Sequence, residues 1–126
     1  MRPLQVLVVD DCPELARNLA ELLRRWGHHV LVAHDGARAM AAAEHVPLDA
    51  VLLDLDLPGM DGFAVAEALR NNAAHQAILL VAVTGHAEDE CRQRAMAAGF
   101  NHYLTKPVSL TRLQRLLEPG AETVPG

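Results

Sequence analysis

The chain carries five short strand-like runs, at residues 4–9, 29–33, 49–53, 78–83 and 102–105, each followed by a stretch with helical spacing. The first four are nearly unbroken apolar runs, as expected of strands covered on both faces rather than strands with one wet face. No other feature constrains the fold as much. Parallel neighbours need a long crossover, which a helix supplies, and the crossover is right-handed. The expected architecture is therefore α/β: one domain built on a doubly wound, five-stranded parallel sheet with five helices on its two faces. Pro13 suits the first turn of a helix in which Leu15, Leu19, Leu22 and Trp26 form one apolar face, closed by Gly27. Asp35-Gly36 marks a turn before an Ala-rich helix at 37–44, and Asp61-Gly62 opens a helix carrying Phe63, Val65, Ala66 and Leu69. Residues 88–98, stopped by Gly99, and the Leu110, Leu113, Leu117 series mark the last two helices. The domain is placed at 4–117, and 118–126, rich in Pro and Gly, reads as a flexible tail or the start of a linker.

A length of 126 residues fits one domain with a full core. The net charge of −5 argues against a nucleic-acid surface, which needs clustered Lys and Arg. No apolar stretch approaches the ~18 residues of a membrane span. The start, Met1-Arg2-Pro3, lacks a signal peptide's apolar run. Cys12 and Cys91 make neither a disulfide framework nor a metal-type pair. A cytoplasmic location without membrane or nucleic-acid contact is expected. Among eleven basic residues only Lys106 is a lysine, so its position calls for a reason.

Open α/β sheets bind ligands beyond the carboxyl ends of their strands. Those ends here are Asp10-Asp11 after the first run, Asp54 after the third, Thr84 after the fourth and Lys106 after the fifth. Carboxylates a few ångströms apart repel by about 4 kcal/mol per pair at an effective dielectric near 20. Such a cluster persists if one member is protonated or a hard divalent cation sits among them. Mg²⁺ suits that place, since it takes oxygen ligands and completes its shell with phosphate. Lys106 would face the phosphoryl oxygens from the other side, and the Thr84 hydroxyl could hydrogen-bond them.

The runs Val8-Val9-Asp10-Asp11, Leu53-Asp54-Leu55-Asp56-Leu57-Pro58-Gly59-Met60-Asp61-Gly62, Thr84-Gly85 and Tyr103-Leu104-Thr105-Lys106-Pro107 resemble the receiver domain of two-component response regulators. The resemblance implies a flavodoxin-like sheet with strand order 2-1-3-4-5. It implies that Asp54 accepts a phosphoryl group from a histidine kinase or phosphotransfer domain. Mg²⁺ would be held by Asp10, Asp11, Asp54 and the backbone carbonyl of Asp56. Thr84 and Tyr103 would be the switch pair and Lys106 the phosphate contact. The face formed by 88–98, 102–105 and 109–117 is the expected surface for partner or homodimer contacts. The output would be a downstream protein target or a covalently linked kinase module, since residues 98–104 with Trp26-Gly27-His28 are similar to receivers of hybrid sensor kinases. A receiver of this kind is a signalling switch rather than a turnover enzyme. Asp56 and His86 depart from the commonest pattern and are expected, on the pocket rim, to tune the phosphoryl lifetime.

Blander readings exist for each residue. Asp10-Asp11 alone would serve as a helix N-cap, Thr84 as a strand end, Tyr103 as a core aromatic, and Asp61-Gly62 as a helix start. Pro107 ends the last strand, with a cis bond as one way of doing so. Seven histidines invite a metal reading, but no pair shares a helix face with a carboxylate. Asp54-Leu55-Asp56-Leu57-Pro58 also resembles the nucleophile motif of haloacid-dehalogenase phosphatases. Against that reading, Pro58 replaces Thr or Val, the acidic pair precedes the nucleophile, and no cap domain fits. A docking-only adaptor would have lost an acidic residue, the acceptor or the lysine. A flavin module would need a neutral loop where 10–14 is acidic.

Overall fold

The computed structural model describes residues 3–118; the expected tail, apart from Glu118, lies outside them. The strands are β1 (Gln5–Val9), β2 (His29–Ala33), β3 (Ala50–Asp54), β4 (Leu79–Thr84) and β5 (His102–Thr105). The helices are α1 (Pro13–Arg25), α2 (Gly36–His45), α3 (Gly62–Arg70), α4 (Asp89–Ala98) and α5 (Leu110–Leu116). All strand pairs are parallel and the order is β2-β1-β3-β4-β5, as expected. Among the described residues no helix is long and apolar enough to cross a membrane.

Alternate strand residues feed two cores. Val6, Val8, Leu52, Val81, Val83 and Leu104 pack with Ala16, Ala20 and Leu23 of α1 and Leu113 of α5. Leu7, Val9, Val51, Leu53, Leu80 and Tyr103 pack on the other face with residues of α2, α3 and α4, among them Phe63, Val65, Ala66 and Leu69 as expected. The two-fold side-chain period of a strand thus places α1 and α5 on one face and α2 to α4 on the other. Three helices begin on side-chain caps: Asp35 accepts from Arg38 N, Asp61 from Ala64 N and Ser109 from Arg112 N.

Two expectations need correction. The buried face of α1 is Ala16, Ala20 and Leu23, while Leu15 is 49% exposed, Leu22 is half-buried, and Leu19 and Trp26 flank the core. Alanines let the helix lie close to the sheet, and the larger apolar residues then cover its side. β2 is not covered on both faces either: Leu31 and Val32 are 38% and 37% exposed. As an edge strand it has one neighbouring strand. A short 3₁₀ turn, Ala73–His75, was not anticipated. The Arg70 side chain organises that region, donating to the carbonyls of Gly99, Gln76 and Ile78 and to Asn101 Oδ1.

Candidate functional site

The parallel registers bring separate parts of the chain to one rim. Val9 pairs with Leu53, which places Asp10 beside Asp54, and Asp54 itself pairs with Val83, one residue before Thr84. The Lys106 N–H donates to the Thr84 carbonyl at 2.7 Å, which continues the β4–β5 ladder one step beyond the strand. The following Lys106-Pro107 bond is cis.

Asp10, Asp54 and Thr84 are buried and Asp11 is exposed. Carboxylate oxygens of Asp10, Asp11 and Asp54 lie within 4.8 Å of one another. Lys106 Nζ stands 3.1 Å from Asp10 Oδ2 and 3.4 Å from Asp54 Oδ2. The second oxygens are occupied by backbone donors: Asp10 Oδ1 accepts from Cys12 N and Asp54 Oδ1 from Asp56 N, both at 3.0 Å. Asp10 therefore serves the start of α1 and the pocket at once. Hard oxygen donors at this spacing, beside an exposed carboxylate open to water, are the chemistry a small divalent cation requires. Gly62, the first residue of α3, packs against the backbone at the end of β3. A Cβ there would stand 2.5 Å from the Asp54 carbonyl oxygen, so no other residue fits without displacing the acceptor strand.

Burial raises the Asp54 carboxyl above its ordinary value, and the Asp10 charge adds to this; the Asp56 N–H and Lys106 pull the other way without prevailing. Lys106 loses hydration too, but its bond to Asp10 and the charges of Asp54 and Asp10 hold its ammonium above the usual lysine range. The pocket thus combines a basic carboxylate with a firmly charged cation.

Thr84 Oγ accepts from His86 N at 3.2 Å, which uses a lone pair and leaves the hydroxyl proton to donate elsewhere. Tyr103 lies in the core with its hydroxyl donating to the His86 carbonyl at 2.6 Å. Burial pushes that hydroxyl far up, with Cys91 beside it adding to the effect. The Arg92 guanidinium sits 4.8 Å from the ring centroid.

Of the residues singled out in the sequence, the structure brings Asp10, Asp11, Asp54 and Lys106 together, with Thr84 at the end of the adjacent β4 and Tyr103 in the core. The Asp56 side chain is not part of the carboxylate cluster; it turns to His86, Nε2 to Oδ2 at 2.8 Å. Sequence reasoning missed His34. It directly follows the edge strand β2, and its Nδ1 lies 2.9 Å from the Asp10 carbonyl oxygen. Nothing in the local sequence signals this contact, because it depends on the β1–β2 register.

Comparison with known proteins agrees with this geometry. The profile of the response regulator receiver domain matches residues 6–118. The signal transduction histidine-protein kinase BarA of Escherichia coli is 33% identical over 119 residues, 92% of this chain but only 13% of that protein. The structure of the chemotaxis response regulator CheY4 of Vibrio cholerae superposes with a TM-score of 0.86 at 29% identity, covering 92% of this chain and all of that one. The receiver domain of a sensor histidine kinase from Pseudomonas aeruginosa, solved with a magnesium ion coordinated in its active-site cleft, gives a TM-score of 0.84 at 32% identity over 92% of this chain and 95% of that one. With the fold, the acidic pocket and the lysine all in place, the chain belongs to the response regulator receiver domain family.

Proposed function

We propose that this receiver is a phosphorylation switch in which Asp54 takes a phosphoryl group from a histidine kinase or phosphotransfer domain. One observation carries the reading: three carboxylates and a single lysine, from three strand ends, meet within a few ångströms. Asp10, Asp11 and Asp54, with the Asp56 carbonyl, are the residues that would hold Mg²⁺. When bound, the ion neutralises charge on the phosphoryl oxygens and orients them.

The protein's own residues do the rest. A carboxylate oxygen of Asp54, made more basic by burial, attacks phosphorus. The new O–P bond forms as the P–N bond to the donor histidine breaks, and the imidazole leaves with that electron pair. Lys106 turns its ammonium from the carboxylates to a phosphoryl oxygen. Thr84 donates its hydroxyl proton to another. That pull on Thr84 loosens its bond to His86 N and so disturbs the His86 carbonyl on which Tyr103 rests. The α4–β5–α5 face then repacks, and this face would meet the target, a linked kinase module or a second copy. The setting is cytoplasmic, without nucleic acid or membrane as partner.

Intact mass after incubation with acetyl phosphate tests the reading. A hydroxylamine-labile phosphoryl adduct is expected with Mg²⁺, absent with EDTA and absent in Asp54→Asn. A folded parent protein that gains no adduct from acetyl phosphate or from a phosphorylated histidine kinase would instead be a docking module.

A further inference from the structure

At the sheet edge opposite β5, the strand β2 is open along one side. The His29 N–H donates to the Leu4 carbonyl and the Ala33 carbonyl accepts from Asp10 N, so the backbone groups of these two residues face β1. Backbone direction alternates along a strand, and those of Val30 and Val32 therefore point out of the sheet. One of these outward groups is satisfied: Arg24 of α1 reaches across and donates from Nη2 to the Val30 carbonyl at 3.0 Å. Its guanidinium stands where the N–H of a further strand would be. Among the described residues no side chain does the same for Val32, which is exposed. A groove of 310 Å³ runs beside this edge, lined by Pro13, Arg17, Ala20, Arg24, Val32 and His34. None of the six is acidic, although the chain as a whole carries a net charge of −5. Among the described residues neither Arg17 nor Arg24 is paired with a carboxylate. The two arginines stand two turns apart on α1, about 10 Å along its axis, the length of about three strand residues.

We propose that the β2 edge takes an acidic, extended segment of a partner protein as a sixth strand of the sheet. The backbone of that segment pairs with the outward N–H and C=O of Val32, and Arg24 ends the pairing at Val30. Acidic side chains at alternate positions lie over α1 and meet Arg17 and Arg24. The residues between them turn to the other face of the sheet, beside the exposed Leu31, where apolar side chains fit. Charge sets the occupant. A second copy meeting this one edge to edge would bring Arg17 and Arg24 against their own equivalents, whereas an acidic strand neutralises both. The surface lies at the opposite edge from α4–β5–α5 and does not depend on Asp54 as acceptor.

Fluorescence anisotropy on the full chain at low salt tests it, with a labelled, end-capped peptide of alternating Glu and Val as the probe. The peptide is expected to bind saturably. Its counterpart of alternating Lys and Val should bind at least about tenfold more weakly, and Arg17→Glu should weaken the acidic peptide about tenfold, as attraction becomes repulsion. Arg17 is exposed, so that variant is expected to keep the parent's melting temperature. Arg24→Gln, which keeps a donor for Val30, should weaken binding about threefold through the lost charge. N-methylation of the peptide backbone leaves its charge and removes its N–H donors, and should abolish saturable binding. Equal binding by the methylated peptide would mean adhesion by charge alone and would overturn strand addition. No binding to the parent, or binding indifferent to both arginine variants, overturns the proposal and leaves Arg24 as a guard of the edge. So does a parent that sediments as a dimer from which the peptide is excluded, since a second copy then fills the edge.

Discussion

Asp54 does its chemistry at the expense of the fold. Its carboxyl titrates above the usual carboxylate range because burial disfavours the charge, with Asp10 adding to the effect. The folded protein then binds more protons than the unfolded chain in the window just above the ordinary carboxyl value. Its stability falls as pH rises through that window, and at neutral pH the ionised form is a net cost. Asp54→Asn in metal-free buffer is accordingly expected to raise the urea midpoint at pH 7 and to bring the two proteins together near pH 3. A lower midpoint for the variant would mean that the Lys106 contact outweighs the cost of burial. Such a balance could not be read from the sequence. The identities and order of Asp10, Asp54, Thr84 and Lys106 were legible because strand ends collect them on one rim. The orientation of the Asp56 side chain and the contact of His34 were not, since each depends on angles and register that residue identity does not specify.

At the scale of elements, the alternation of strands and helices was plain, but the facing of individual elements was less so. An apolar spacing of four, three and four on α1 pointed to Leu15, whereas the sheet chose the adjacent Ala16, Ala20 and Leu23 stripe. Periodicity fixes that one face is buried, and packing distance decides which. The β2 strand was misjudged because position in the sheet, not composition, sets coverage. The junction of α1 with β2 also holds a titratable group. His28 is buried, and its Nδ1 accepts from Leu4 N at 3.0 Å, a bond that requires the neutral ring. Burial, with His29 adjoining, lowers its value below the ordinary 6.5. Because the folded value is the lower one, this contribution is complete above 6.5 and is lost as pH falls below it. A single group limits the slope to about 1.4 kcal/mol per pH unit. Urea unfolding between pH 7 and 5 should show a steeper loss for the parent than for His28→Asn. Identical slopes would show that His28 is not the group responsible.

For the molecule as a whole, a sheet packed on both faces carries its acidic cluster at a single end. A ligand held there stabilises all of it, because the three carboxylates hang from β1 and β3, two of the three interior strands. If Mg²⁺ binds at Asp10, Asp11 and Asp54, an ion concentration ten times the dissociation constant adds about 1.4 kcal/mol to global stability. Asp11→Asn should lose most of that gain, and a parent whose melting temperature ignores Mg²⁺ would argue against the cation site. The basic residues have a different distribution, ten arginines against one lysine. Amine-directed reagents therefore have one side-chain target in this chain, and it lies in the pocket. Acetyl donors, cross-linkers and succinimidyl dyes would each report on the same few cubic ångströms. The neighbouring carboxylates keep that amine protonated, so acylation should be slow, and its rate becomes a readout of the charge that Asp10 and Asp54 together place on the pocket.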